Sequence, residues 1–439
     1  MKPNIILRKN SKTVNTTIQL TGSKSECNRA LVIEALSQGR VKVTNVSDAA
    51  DAVLLAGILR SELSEAGVQN SEARTQNSES ESGPLTTDNR QLTTVNIGPA
   101  GTAMRFLTAY YAISGEEVIL TGSERMKQRP IGILVDALRT LGANIDYVEQ
   151  DGYPPLHIKG GFEQKTDLIS IQGNISSQYI TALLLIAARL PQGLRLQIEG
   201  ELTSRPYVEM TLSMLQQAGI QHQWEDNVIS IASQEFAETS IWVEPDWSAA
   251  SYWYAIAALS DEAELFLPGL TSYSLQGDSV IGEIMANFGI TSQFKDGGVY
   301  LKKEPKPIVR KIFDMIQCPD LAQTVVVVCA ALGHEATFTG LETLKIKETD
   351  RIAALQNELG KMGVKLIEKG QVYKLDCSEK FIPQKMTIKT YEDHRMAMAF
   401  APLALIIPEL EVEEAAVVDK SYPAFWTDLE KAGFEVLDV

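Results

Sequence analysis

TGSKSECNRALVIEAL, Thr21 to Leu36, is the stretch from which the rest of this 439-residue chain can be read. Its first half is polar and carries Gly22, Ser23, Lys24, Ser25, Asn28 and Arg29; its second half, Ala30 to Leu36, is apolar except for Glu34. The apolar half predicts a buried helix built from strong helix formers. The polar half predicts that helix's N-terminus, with Gly and Ser at the turn and cap. A helix N-terminus presents free N–H groups and the positive end of the dipole, so it suits anions. Lys24 and Arg29 add full charges there, and Ser23 or Ser25 adds a hydroxyl donor. Taken alone, the stretch would read as an ordinary capped helix with two solvated cations, because Ser caps are common.

The pattern returns. A polar start followed by an apolar helix recurs at Gly98 (GPAGTAMRFLTAYYAI), Gly173 (GNISSQYITALLLIAA), Glu244 (EPDWSAASYWYAIAAL), Pro319 (PDLAQTVVVVCAAL) and Tyr391 (YEDHRMAMAFAPLAL). Successive copies start about 75 residues apart, the kind of period that marks an internal repeat. A second marker, an amphipathic helix ending in Gly, runs alongside at Gly67, Gly142, Gly219, Gly289, Gly363 and Gly433. Gly suits the residue just past a helix C-terminus. The chain therefore reads as six copies of one α/β unit, each with two helices and several short strands. Six helix N-termini able to point at one place strengthen the anion reading.

Residues 5–20 read as strand, with alternation in TVNTTIQL. Val68 to Gln91 is rich in Ser, Asn, Gln, Thr and Glu and nearly devoid of large apolar residues, so it reads as an exposed loop insertion. The segment Ser240 to Ser248 is where the chain crosses to a second domain. The expected partition is 1–21 plus 243–439 for one domain and 22–242 for the other, three copies in each. The 44% hydrophobic and 22% charged fractions suit a soluble globular protein. No apolar run reaches membrane-spanning length, and MKPNIILRKNSK lacks a signal-peptide apolar region, so a cytoplasmic protein is expected. Four scattered cysteines without a CxxC pair, and four histidines without ligand spacing, argue against a metal site or disulfide framework. The net charge of −16 argues against a nucleic-acid partner. It leaves small anions open, because salt screens net charge over roughly 8 Å and a local cation cluster decides binding.

Two further motifs carry charge into helix starts. LKIKETDRIAAL places Lys347, Glu348, Asp350 and Arg351 just before a periodic helix, and YEDHRMAMAFAPLAL places His394 and Arg395 at the start of an almost wholly apolar one. Together GSKSECNRALVIEAL, AGTAMRFL, RMKQRPI, SSQYITALL, SRPYVEMTL, KETDRI, DHRMAMAF and DKSYPAFW resemble the 5-enolpyruvylshikimate-3-phosphate synthases, in order and over nearly the whole chain apart from Val68 to Gln91. The resemblance implies two domains, each of three βαβαββ units related by pseudo-threefold symmetry (an inside-out α/β barrel), closing on the substrates. It implies transfer of the enolpyruvyl group of phosphoenolpyruvate to the 5-hydroxyl of shikimate 3-phosphate, with release of phosphate, in chorismate and aromatic amino-acid biosynthesis. A monomer with no cofactor and no metal is implied, as is inhibition by glyphosate at the phosphoenolpyruvate site.

By the same resemblance Ser25, Arg29, Ser176, Ser177, Gln178, Ser204, Tyr207, Asp320 and Lys347 hold shikimate 3-phosphate, together with Lys24. Lys24, Gly101, Arg125, Gln178, Arg351, Arg395 and Lys420 hold phosphoenolpyruvate. Asp320 and Glu348 match the family's acid–base carboxylates, Asp320 for the hydroxyl and Glu348 for the carbon proton, with Lys24 assisting. Cations suit substrates that carry two phosphates and two carboxylates, Arg as a bidentate fork and Lys as a point charge. Three positions depart from the usual pattern. Pro99 replaces an Asn before AGTAMR, Phe106 replaces a Pro and is expected to tilt its helix, and Thr343 stands where an Asn often contacts the shikimate phosphate.

Two other readings compete. The sister transferases acting on UDP-N-acetylglucosamine share the fold, but typically carry Lys-Asn where this chain has Lys24-Ser25, and a Cys in the loop occupied here by Gly122 to Pro130. A non-catalytic anion-binding repeat protein would lack at least one of Lys24, Asp320, Glu348 or Arg395, and all four are present.

Overall fold

The computed structural model describes residues 4–61, 92–174 and 176–439, so the polar stretch Val68 to Gln91 and the marker at Gly67 lie outside the described residues. The second copy shows the unit most simply. Strand Thr93–Asn96 leads into helix Gly101–Ser114, then strand Val118–Thr121, helix Gly132–Leu141 and the hairpin Asn144–Tyr147 with Leu156–Lys159. The first two strands pair in parallel, which requires the helical crossover between them. The hairpin then adds antiparallel on the far side of the second strand. The same wiring recurs in the third, fourth and fifth copies. Among the described residues the strands form five four-stranded sheets and one two-stranded sheet.

The expected strand over residues 5–20 is instead two strands in two different sheets. Ile5–Arg8 pairs antiparallel with Glu409–Val412 and Glu435–Asp438, while Thr13–Thr17 pairs in parallel with Glu262–Pro268. The polar run from Lys9 to Lys12 separates them, and its exposed turn is tied by Thr13 N–H donating to Ser11 Oγ at 3.2 Å. The N-terminal segment thus closes the sixth sheet and opens the fourth. Strand Thr239–Trp242 similarly returns to pair in parallel with Val41–Thr44 of the first copy.

The apolar helices sit inside. One hydrophobic core gathers residues from 5–20 and 247–434, and a second gathers residues from 27–243. Helices Lys24–Leu36, Ser177–Ala187, Trp247–Leu259 and Ala322–Leu332 are buried on nearly every face, as helices apolar all round must be. The Gly marker has its physical cause at Gly142, Gly219, Gly289, Gly363 and Gly433, all with positive φ, a backbone region where a Cβ is penalised. No helix among the described residues is long and apolar enough to cross a membrane.

Candidate active site

Burying apolar helix bodies leaves their polar N-termini at the rim of each core, and between the two cores these termini line one cavity. Lys24, Ser25 and Arg29 come from the first repeat helix, Gly101 and Thr102 from the second, Ser177 and Gln178 from the third. Pro319 and Asp320 come from the 3-10 turn leading into the fifth, and His394 and Arg395 open the sixth. The fourth helix, Trp247–Leu259, does not line the cavity. Its cap, Asp246, turns back onto its own Ser248 N–H at 2.7 Å and onto Lys24 N–H at 3.2 Å. Five of the six expected N-termini therefore converge among the described residues.

The cavity wall holds seven cations (Lys24, Arg29, Arg105, Arg129, Lys347, Arg351, Arg395) against three carboxylates (Asp51, Asp320, Glu348). A chain of net charge −16 thus carries a locally positive cleft. Its centre is Arg351, fully buried, whose guanidinium donates to Asp393 Oδ2 at 2.7 Å, Glu348 Oε2 at 3.0 Å and Asp320 Oδ1 at 3.3 Å. Arg395 donates to Asp320 Oδ2 at 2.8 Å, and Tyr207 Oη to the same oxygen at 3.2 Å. Lys420 donates to Glu348 Oε1 at 3.0 Å. Burial alone would push the Asp320 carboxyl up, but Arg395, Lys347 and Arg351 outweigh it and hold it well below the usual carboxylate range. Glu348 is likewise held well below that range, burial being outweighed by Lys420, Arg351 and Arg129. Burial lowers the Lys347 ammonium, with Asp320 partly offsetting it. Burial, reinforced by Lys24 and Arg395, keeps His394 well below its usual value and therefore neutral near pH 7.

The sequence-derived candidates fall mostly where the chemistry needs them. Lys24, Ser25, Arg29, Gly101, Ser176, Ser177, Gln178, Ser204, Tyr207, Asp320, Lys347, Glu348, Arg351 and Arg395 all line the cavity. Lys420 stands at its edge on Glu348. Arg29 is mostly engaged by the protein, donating to Thr211 Oγ1 at 2.8 Å, Ser25 O at 2.6 Å, and Thr181 Oγ1 and Tyr207 O at 3.3 Å each. Arg125 does not line the cavity. Its Nε donates to Glu348 O at 3.2 Å, and Arg129, one turn further on, faces the cavity in its place. RMKQRPI offered both arginines, and spacing could not choose between them. Asp51 was also missed. It lies 3.4 Å from Lys24 Nζ, with no signal beyond an acidic residue at the start of the next helix. Asp393 was legible in DHR but not as the buried partner of Arg351. Of the three departures, Pro99 uses its backbone carbonyl to accept from Lys420 at 3.3 Å. The Phe106 ring lies 5.6 Å from Arg29 Cζ, opposite the Tyr207 ring at 5.7 Å, so the substituted side chain packs on a cation of the site. Thr343 lines the cavity.

Two cores of repeated α/β units, with a cleft of cations and paired carboxylates between them, define the enolpyruvyl-transferase class of fold. Solved structures agree on the fold. EPSP synthase from Acinetobacter baumannii superposes with a TM-score of 0.70 at 20% identity over 99% of both chains. The enolpyruvyl transferase NikO from Streptomyces tendae superposes with a TM-score of 0.72 at 14% identity, over 100% of this chain and 99% of its own. The family model for EPSP synthase (3-phosphoshikimate 1-carboxyvinyltransferase) matches residues 8–429. A 3-phosphoshikimate 1-carboxyvinyltransferase of Bacteroides fragilis is 45% identical over 425 residues, 96% of each chain, and one of Xenorhabdus nematophila is 34% identical over 95% of this chain and 96% of its own. The chain belongs to the EPSP synthase family.

Proposed function

We propose that this chain transfers the enolpyruvyl group of phosphoenolpyruvate to the 5-hydroxyl of shikimate 3-phosphate, releasing phosphate, on the route to chorismate and the aromatic amino acids. The observation that carries the reading is the pair Asp320 and Glu348 on one buried guanidinium, Arg351, inside a cation-lined cleft. Shikimate 3-phosphate would lie against Ser25, Arg29, Ser176, Ser177, Gln178, Ser204, Tyr207 and Lys347. Phosphoenolpyruvate would lie against Lys24, Gly101, Gln178, Arg351, Arg395 and Lys420, with Arg129 in the place first given to Arg125. The segments 1–21 plus 243–439 and 22–242 would act as two domains of a cytoplasmic monomer that needs no metal or cofactor.

The Asp320 carboxylate, ionised at neutral pH, takes the proton of the 5-hydroxyl as that oxygen bonds to C2 of phosphoenolpyruvate. Glu348 gives a proton to C3, which becomes a methyl group. The cations hold Glu348 ionised, so it must first gain that proton. The carboxylate and phosphate of phosphoenolpyruvate, seated on Lys420 and Arg351, cancel the pull that keeps it low, and burial then favours the neutral acid. In the second half Glu348 takes a proton back from the methyl group as the bond from C2 to the phosphate oxygen breaks. Lys24 supplies charge to the leaving phosphate.

The test is phosphate release with phosphoenolpyruvate and each acceptor. Release is expected with shikimate 3-phosphate and not with UDP-N-acetylglucosamine; the reverse pattern, or none with either, rejects the reading. A second expectation concerns Gly101. A methyl group added there would lie 2.8 Å from Arg129 Cζ and 2.9 Å from its Nη2. The guanidinium must swing aside, so Gly101→Ala should raise KM for phosphoenolpyruvate about tenfold, the loss of one charge-assisted hydrogen bond. Glyphosate inhibition should weaken by more. An unchanged KM in steady-state assays would show that Arg129 does not hold that substrate.

A further inference from the structure

We infer that Arg125 is a positioning residue, a latch that crosses between the two lobes and holds the Lys347–Glu348 backbone in place once they close. The inference rests on the reaction proposed above. Arg125 lies in the one-turn helix Glu124–Lys127, whose cap Ser123 accepts from Met126 N–H at 3.3 Å. The residues around it divide their tasks. Met126 is buried in the core of residues 27–243, Arg129 lines the cavity, and Arg125 is exposed. From there its Nε donates to Glu348 O at 3.2 Å and its Nη2 to Lys347 O at 3.5 Å, while Nη1 donates to Gln128 Oε1 at 3.3 Å. Gln128 thus orients a guanidinium that straddles two successive carbonyls.

Those carbonyls belong to the turn between the 3-10 segment Glu342–Ile346 and helix Arg351–Gly360, in the other lobe. Both of its side chains, Lys347 and Glu348, line the cavity. The Glu348 carboxylate is tied to Arg351 and Lys420, each at 3.0 Å, and Lys420 also donates to Pro99 O at 3.3 Å across the cleft. Arg125 adds the only printed grip on the backbone of this turn from the opposite lobe. Its hydrogen bonds exist only while the lobes are together, so they couple closure to the placement of the Lys347 ammonium and the Glu348 carboxylate. An anion in the cleft would not touch it. A latch of this kind favours the closed state and leaves initial substrate capture alone.

The experiment compares Arg125→Ala, Arg125→Gln and wild type in steady-state phosphate release, with thermal unfolding as a check on folding. Arg125→Ala should lose about tenfold in kcat while KM for both substrates stays within about twofold. Added ethylguanidine should restore part of the lost turnover in Arg125→Ala and do nothing for wild type, a response that a merely structural residue would not show. Small-angle scattering with shikimate 3-phosphate and glyphosate bound should give a larger radius of gyration for Arg125→Ala than for wild type. Unchanged kcat overturns the latch, as does a tenfold rise in KM for phosphoenolpyruvate at unchanged kcat, which would make Arg125 an anion ligand. A wild type that releases no phosphate fails the proposed reaction; an active wild type matched by an equally active Arg125→Ala fails the latch alone.

Discussion

Glu348→Gln should lower turnover by roughly two to four orders of magnitude, the range for a positioned general acid–base group. The amide keeps the shape of the side chain and can still accept from Arg351 and Lys420, but it can neither deliver a proton to C3 of phosphoenolpyruvate nor take one back. The same change removes the negative charge lying 3.0 Å from each of those cations. Their field is then free for the substrate, so the affinity for phosphoenolpyruvate should rise while kcat collapses. Steady-state kinetics read the first effect and equilibrium binding the second. Incorporation of solvent deuterium into the C3 methylene should fall with kcat. Turnover within tenfold of wild type would remove Glu348 from proton transfer at carbon.

Arg351→Met should abolish turnover and cost about 3–5 kcal/mol of stability, the range for breaking a buried pair by removing one partner. Asp393 is fully buried and Asp320 and Glu348 nearly so; without the guanidinium, three carboxylates face one another across the space that Met fills. The pH dependence carries a signature. In wild type, Asp320 and Glu348 have folded values below their unfolded ones, near 4. The unfolded state binds more protons in that window. Their contribution is therefore fully present above about pH 4 and is lost as pH falls through the depressed folded values. Removing Arg351 takes away a principal cause of the depression and leaves burial, which favours the neutral acids. The rise in stability between pH 4 and pH 7 should flatten in the variant, measured by urea unfolding across that range. A variant as stable as wild type, with the same pH slope, would show that Arg395, Lys347 and Lys420 neutralise the cluster on their own.

Much of this molecule is decided over a few consecutive residues. The helix of Ala30 to Leu36 follows from its apolar run, and its cap follows from Ser23, whose Oγ accepts from Glu26 N–H at 3.4 Å. The helix stops at Gly142, Gly219, Gly289, Gly363 and Gly433 follow from a backbone conformation that glycine adopts freely. These are constraints of φ, ψ and periodicity, which neighbours along the chain satisfy among themselves, so six repeats were legible in the sequence. Apolar helix bodies must be buried, and so their polar N-termini must meet at a surface; that is why Lys24, Ser177, Asp320 and Arg395 could be named before any coordinates. What one sequence could not supply is which distant groups share a site. Asp51 on Lys24, Asp393 on Arg351, and the return of residues 5–8 and 239–242 to sheets far along the chain are pairings between separated segments. Arg125 and Arg129 differ by one helical turn in the same motif. One reaches a carbonyl of the opposite lobe and the other a cavity, because the seating of that turn between two lobes, and not its spacing, sets where each guanidinium lies.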